Sequence, residues 1–65
     1  MTQIHPSAIV DSQAELAEDV VVGPFCLVGP KVCIGVGTVL RSHVVVEGST
    51  TIGARNVIYA GASIG

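Results

Sequence analysis

The chain has 65 residues, a net charge of −2 and an apolar share of 49%, with one Phe, one Tyr and no Trp. That balance excludes a basic footprint for nucleic acid, since Lys31, Arg41 and Arg55 form no cluster. No apolar run approaches the ~20 residues a membrane-spanning helix needs, and a chain this short buries only about 60% of its unfolded surface. The opening Met1-Thr2-Gln3-Ile4-His5-Pro6 has neither the basic nor the apolar segment of a secretory signal. A cytoplasmic protein without membrane insertion is expected.

From Ile4 onward an aliphatic residue returns at every sixth position: Val10, Leu16, Val22, Val28, Ile34, Leu40, Val46, Ile52, Ile58 and Ile64. Two residues before each comes a small or β-branched side chain, among them Ala8, Val20, Cys26, Thr38 and Val44, with Asn56 the exception. Positions two apart in a strand share a face, so both classes point inward from a short strand. Gly follows the aliphatic residue at 23, 29, 35, 53 and 65, and Pro follows it in Gly23-Pro24 and Gly29-Pro30. Each hexad is read as a strand and a corner, with Gly and Pro supplying the unusual or preset φ of the bend.

A helix would repeat its apolar residues at i, i+3, i+4 and i+7, whereas β-branched residues and Gly or Pro dominate here. Hairpins call for dipeptides such as Asn-Gly between strands, and none occurs. What remains is a solenoid, because a hexapeptide period is a signature of parallel β-helices. The expected fold is all-β: residues 1–65 form part of one parallel β-helix domain of about three and a half coils. Its height would be roughly 17 Å at a strand spacing of ~4.8 Å. General crossover rules favour a right hand, but strict hexapeptide repeats resemble the left-handed β-helix family, and a left-handed coil is what that resemblance implies.

The residue before each inner position should point outward. With three hexads to a coil, one face carries Gln3, Val21, Val39 and Val57, the second Ile9, Leu27, Val45 and Ser63, and the third Glu15, Cys33 and Thr51. Two faces are apolar outside as well as in, which marks an interface. In a ring of three, each subunit meets its neighbours through two different surfaces, so a homotrimer is expected.

The strings between the beats carry a closer likeness. His5-Pro6-Ser7-Ala8-Ile9-Val10, Gly23-Pro24-Phe25-Cys26-Leu27-Val28-Gly29-Pro30, Ile34-Gly35-Val36-Gly37-Thr38-Val39-Leu40, Ser42-His43-Val44-Val45-Val46, Ile58-Tyr59 and Ala62-Ser63-Ile64-Gly65 resemble bacterial acyl-carrier-protein:UDP-N-acetylglucosamine O-acyltransferases. The strings around Phe25 and His43 are not dictated by the repeat, and the likeness covers the whole chain. Ala60-Gly61 departs from it, since relatives tend to be bulkier there. The resemblance implies transfer of an (R)-3-hydroxyacyl chain from acyl carrier protein to the 3-hydroxyl of UDP-N-acetylglucosamine, the first step of lipid A biosynthesis, with no cofactor. It also implies that the general-base histidine and the nucleotide- and acyl-contacting residues lie beyond Gly65. No catalytic, substrate-binding or metal residue is therefore expected within 1–65, and the chain reads as an N-terminal fragment without activity alone. The later coils and a C-terminal helical domain would follow it.

The residues present support that reading. His5 reads as a surface or turn histidine, and His43 stands at a corner with Phe25 one coil earlier and Gly61 one coil later. A base needs an orienting partner, and no Asp or Glu shares that column. Cys26 and Cys33 fit neither a redox pair nor a zinc knuckle and read as packed, reduced thiols. Two histidines cannot supply the three-histidine zinc site of a carbonic-anhydrase relative. Thr50-Thr51 alone is no ice-binding threonine ladder, which weakens a purely structural scaffold. The N-acyltransferase acting later in the same pathway, or another hexapeptide acyltransferase, is the alternative enzyme. Open strand edges at the last coil invite association, so the isolated polypeptide is expected to aggregate or stay partly unfolded. A sharp cooperative melt of a soluble monomer would contradict that.

Overall fold

The computed structural model describes residues 2–65; Met1, part of the opening read for a leader, lies outside them. Eleven short strands follow one another: β1 (Gln3–Ile4), β2 (Ile9–Val10), β3 (Glu15–Leu16), β4 (Val21–Val22), β5 (Leu27–Val28), β6 (Val32–Ile34), β7 (Val39–Leu40), β8 (Val45–Val46), β9 (Thr50–Ile52), β10 (Val57–Ile58) and β11 (Ser63–Ile64). They stack into three parallel sheets, β1-β4-β7-β10, β2-β5-β8-β11 and β3-β6-β9, the first, second and third faces below. Each residue pairs with the one a full coil later, as in Gln3 with Val21 and Val21 with Val39. A parallel β-helix with this register follows from the six-residue beat.

The beat also explains the core. Val20, Val22, Cys26, Val28, Val32, Ile34, Thr38, Leu40, Val44 and Val46 are all buried to 2% exposure or less. Both inward classes thus meet along the axis of the middle coils. Toward the ends the same classes open up: Val10, Leu16, Ile58 and Ile64 are half-buried, and Ile4 and Asn56 are exposed. A coil in a stack is covered only by the coils above and below it, so burial falls at the ends whatever the residue type.

The corners correct one sequence expectation. Of the glycines that follow an inner residue only Gly65 has positive φ (153), and Gly23, Gly29, Gly35 and Gly53 do not; positive φ falls two residues after Gly23, Gly35 and Gly53, on Phe25 (φ 59), Gly37 (φ 74) and Arg55 (φ 56), and also on Asp19 (φ 59), His43 (φ 55), Gly48 (φ 73) and Gly61 (φ 83). What Gly23 and Gly35 provide is space. A Cβ at Gly23 would sit 2.8 Å from the Arg41 carbonyl carbon and 2.9 Å from Leu40 O, and one at Gly35 would sit 2.7 Å from the Gly53 carbonyl carbon. In both cases the carbonyl one coil on turns toward the core. It then finds a donor three residues after the glycine: Cys26 Sγ donates to Arg41 O at 3.1 Å, and the buried Thr38 hydroxyl donates to Gly53 O at 2.7 Å. A part-buried carbonyl left without a partner costs up to about 1–3 kcal/mol, so the Gly-x-x-Cys and Gly-x-x-Thr spacings answer one physical need.

Candidate functional site

The corner between the first and second faces gathers an unusual set of side chains. One column through the coils is Ser7, Phe25, His43 and Gly61, and the column beside it is His5, Gly23, Arg41 and Tyr59. The Phe25 and His43 rings stack with centroids 5.1 Å apart and planes 26° apart, and the Arg41 guanidinium lies over the Tyr59 ring at 5.7 Å. Both arrangements follow from the solenoid, which sets equivalent residues of successive coils at the spacing of neighbouring strands. His5 caps the same corner lower down. The Ser7 amide donates to His5 Nδ1 at 3.1 Å, Ser7 Oγ lies 2.8 Å from that nitrogen, and the Phe25 amide donates to Ser7 Oγ at 3.1 Å. This fits the turn histidine read from the sequence.

His43 occupies the corner expected of it, exposed, with its amide donating to Pro24 O at 3.0 Å. Its ring stacks on a hydrocarbon ring, which gives an imidazole no orienting carboxylate for general-base work. His5 and His43 stay in different columns. Among the described residues no group of three His, Cys, Asp or Glu could hold a metal ion.

The third face has an open groove whose lining includes Glu15, Ala17, Cys33, Gly35 and Thr51. Both cysteines are free, but they differ in setting: Cys26 is a core residue, whereas Cys33 is half-buried on the outer surface, its Sγ 3.9 Å from Glu15 Oε1. At that length the contact is weak, and thiol, carboxylate and hydroxyl stand in a vertical column without the nucleophile–base–orienter arrangement of covalent catalysis. The sequence reading overlooked the surface role of Arg41 and Tyr59. Sorting residues at the 18-residue register, as was done for the faces, would have placed them beside Phe25 and His43.

Among the described residues no helix is long and apolar enough to cross a membrane, which does not bear on spanning strands. No family model matches the chain. It is 56% identical over 63 residues to the acyl-[acyl-carrier-protein]–UDP-N-acetylglucosamine O-acyltransferase of Syntrophobacter fumaroxidans, covering 97% of this chain and 24% of that protein. To the enzyme of the same name from a Psychrobacter species it is 57% identical over 65 residues, 100% of this chain and 25% of that one. Among solved structures, LpxA from Acinetobacter baumannii superposes with a TM-score of 0.92 at 55% identity, over 95% of this chain and 24% of that one. The Arabidopsis UDP-N-acetylglucosamine acyltransferase superposes at 0.94 and 40% identity, over 95% and 22%. The chain therefore spans about a quarter of the length of the relatives it matches.

Proposed function

Because the chain belongs to the acyl-carrier-protein:UDP-N-acetylglucosamine O-acyltransferase family, we propose that it forms the first coils of an enzyme moving an (R)-3-hydroxyacyl chain to the 3-hydroxyl of UDP-N-acetylglucosamine. The observation that carries this reading is the 57% identity held across the full 65 residues. The hexapeptide beat alone accounts for about one position in six, so the likeness resides largely in the strings between the beats. Acyl carrier protein is the donor and the step opens lipid A biosynthesis. The histidine that takes the hydroxyl proton stands in a later coil; the histidines within this chain serve the corner.

These coils act as scaffold. Their parallel register fixes the rise and rotation of every coil stacked on them, and a reacting geometry misplaced by about 1 Å can cost roughly 100-fold in rate. The working assembly is a homotrimer held through the first and second faces, and the compartment is the cytoplasm, where two free thiols persist reduced. Incubating the whole protein with (R)-3-hydroxyacyl acyl carrier protein and labelled UDP-N-acetylglucosamine should yield the 3-O-acyl sugar nucleotide; transfer to an amino sugar instead would overturn the reading. Val39→Glu on the first face should split the trimer in sedimentation. A variant that stays trimeric would remove that face from the interface.

A further inference from the structure

Three side chains at inward positions of this prism make the same hydrogen bond. Thr2 Oγ1 donates to Ala17 O at 3.0 Å, Cys26 Sγ to Arg41 O at 3.1 Å and Thr38 Oγ1 to Gly53 O at 2.7 Å, each acceptor fifteen residues on. In the last two pairs a glycine stands three residues before the donor. A Cβ added to Gly23 or Gly35 would collide with that same carbonyl group one coil later. Where the third residue cannot donate, the requirement is gone. Val20 follows Ala17, which carries a Cβ, and Val32 follows Gly29, where an added Cβ would meet nothing closer than 3.5 Å. Where a donor lacks the glycine it bonds elsewhere: Thr50, with Glu47 three residues before it, turns its hydroxyl back to Glu47 O at 2.7 Å. Glycine and donor together thus mark a carbonyl turned toward the axis.

Gly53 and Asn56 repeat this pair, and their carbonyl is not among residues 2–65. Asn56 is the one amide at an inward position, exposed at the end of the stack beside the half-buried Ile58, Ala62 and Ile64. A Cβ on Gly53 would meet the Asn56 amide nitrogen at 3.5 Å and, among the described residues, no carbonyl. The donor therefore stands beside the space that a carbonyl fills at Gly23 and Gly35. Gly53 has no positive φ, so its own backbone conformation does not call for glycine. Resting on the reading that further coils follow, since the chain spans about a quarter of its relatives' length, we infer that Gly53 and Asn56 form a docking site for the backbone of the next coil of the same protein. The carbonyl one coil after Gly53 turns over that glycine and accepts a hydrogen bond from Asn56 Nδ2. That coil covers Asn56, and a buried amide without a partner is costly, so the bond selects which carbonyl turns inward and with it the register of the coil.

The test is urea unfolding of the whole protein. Asn56→Val cannot donate and should lower the folding constant at least about five-fold. Asn56→Thr should recover most of that loss, because Thr38 makes the equivalent bond with a hydroxyl. Asn56→Asp sets an acceptor against an acceptor and should lose at least as much as Asn56→Val. Gly53→Ala should also lose at least about five-fold, although nothing in residues 2–65 obstructs its methyl. Equal stability of the Val and Thr variants, or parental stability of Asn56→Asp or Gly53→Ala, would overturn the inference. So would a crystal structure of the whole protein in which solvent or a second copy, instead of the next coil of the same chain, covers Asn56. A whole protein that shows the bond yet does not acylate UDP-N-acetylglucosamine would uphold the docking site and overturn the function proposed above.

Discussion

Gly23-Pro24 and Gly29-Pro30 look the same in the sequence and do opposite work in the fold. Each follows an inner valine, each closes a strand with its amide, and the Gly23 and Gly29 N–H groups donate to Leu40 O and Val46 O at 2.8 and 2.9 Å. At Gly23 the next coil turns a carbonyl into the space a side chain would take. At Gly29 an added Cβ would be 3.5 Å from Val46 O and 3.7 Å from Glu47 Cα, ordinary van der Waals distances. The difference lies in the residue three places on. Cys26 can donate to the inturned carbonyl, whereas Val32 cannot, and β6 there starts one residue early as a three-residue strand. Gly23 is thus required by the carbonyl of the next coil and by the donor beside it, more than by its own φ.

The largest expected effect breaks the first of these corners. Gly23→Ala pushes a methyl against backbone atoms of Leu40 and Arg41 that no rotamer change can move. The coil spacing must give, at a cost in the overpacking range of about 1–3 kcal/mol or beyond. The midpoint of urea unfolding of the whole protein reads it, and an unchanged midpoint would show that the coils slide freely at that corner. Thr38→Val should follow. It removes the donor to Gly53 O and the acceptor of the Asn56 amide, which donates to Thr38 Oγ1 at 3.4 Å. Stranding this part-buried carbonyl costs up to about 1–3 kcal/mol, and Thr38→Ser should recover most of it if the hydroxyl, rather than the methyl, is what matters.

Gly48→Ala comes next. This residue has φ 73 and nothing within 4 Å of an added Cβ, so its cost is conformational alone, roughly 1–2 kcal/mol for a left-handed L-residue. Gly48→Asn should cost less, because Asn tolerates that region. Equal losses for Ala and Asn would point to a missing steric contact instead of backbone strain.

Much of this architecture was legible. The six-residue beat fixed which side chains face inward, which residues pair a coil apart, and which outward residues share a face, because a period of six in a three-sided coil leaves little freedom. The corners were less legible. Left-handed φ sits on Asp19, Phe25, His43 and Arg55 as well as on Gly37, Gly48 and Gly61. Non-glycine residues hold it at four positions, so residue type is a poor guide. Nor can a sequence show which carbonyl turns inward, since that is a property of two coils together. The aromatic corner needed the columns to be drawn before Arg41 and Tyr59 joined Phe25 and His43.

The smallest effect is the sharpest test of the opening contrast. Gly29→Ala keeps the N–H hydrogen bond donated to Val46 O and adds a methyl at ordinary contact distances. Its backbone φ lies outside the left-handed region, and a residue before proline is already biased toward extended conformations, which suits a position that continues a strand. Replacing glycine there also removes freedom from the unfolded chain, a gain of about 0.4–1 kcal/mol where the native backbone is compatible. Gly29→Ala should therefore leave the unfolding midpoint unchanged or raise it slightly, while Gly23→Ala lowers it. If the two substitutions cost the same, the inturned Arg41 carbonyl is not what separates these corners, and the glycines would share a requirement unrelated to the coil above.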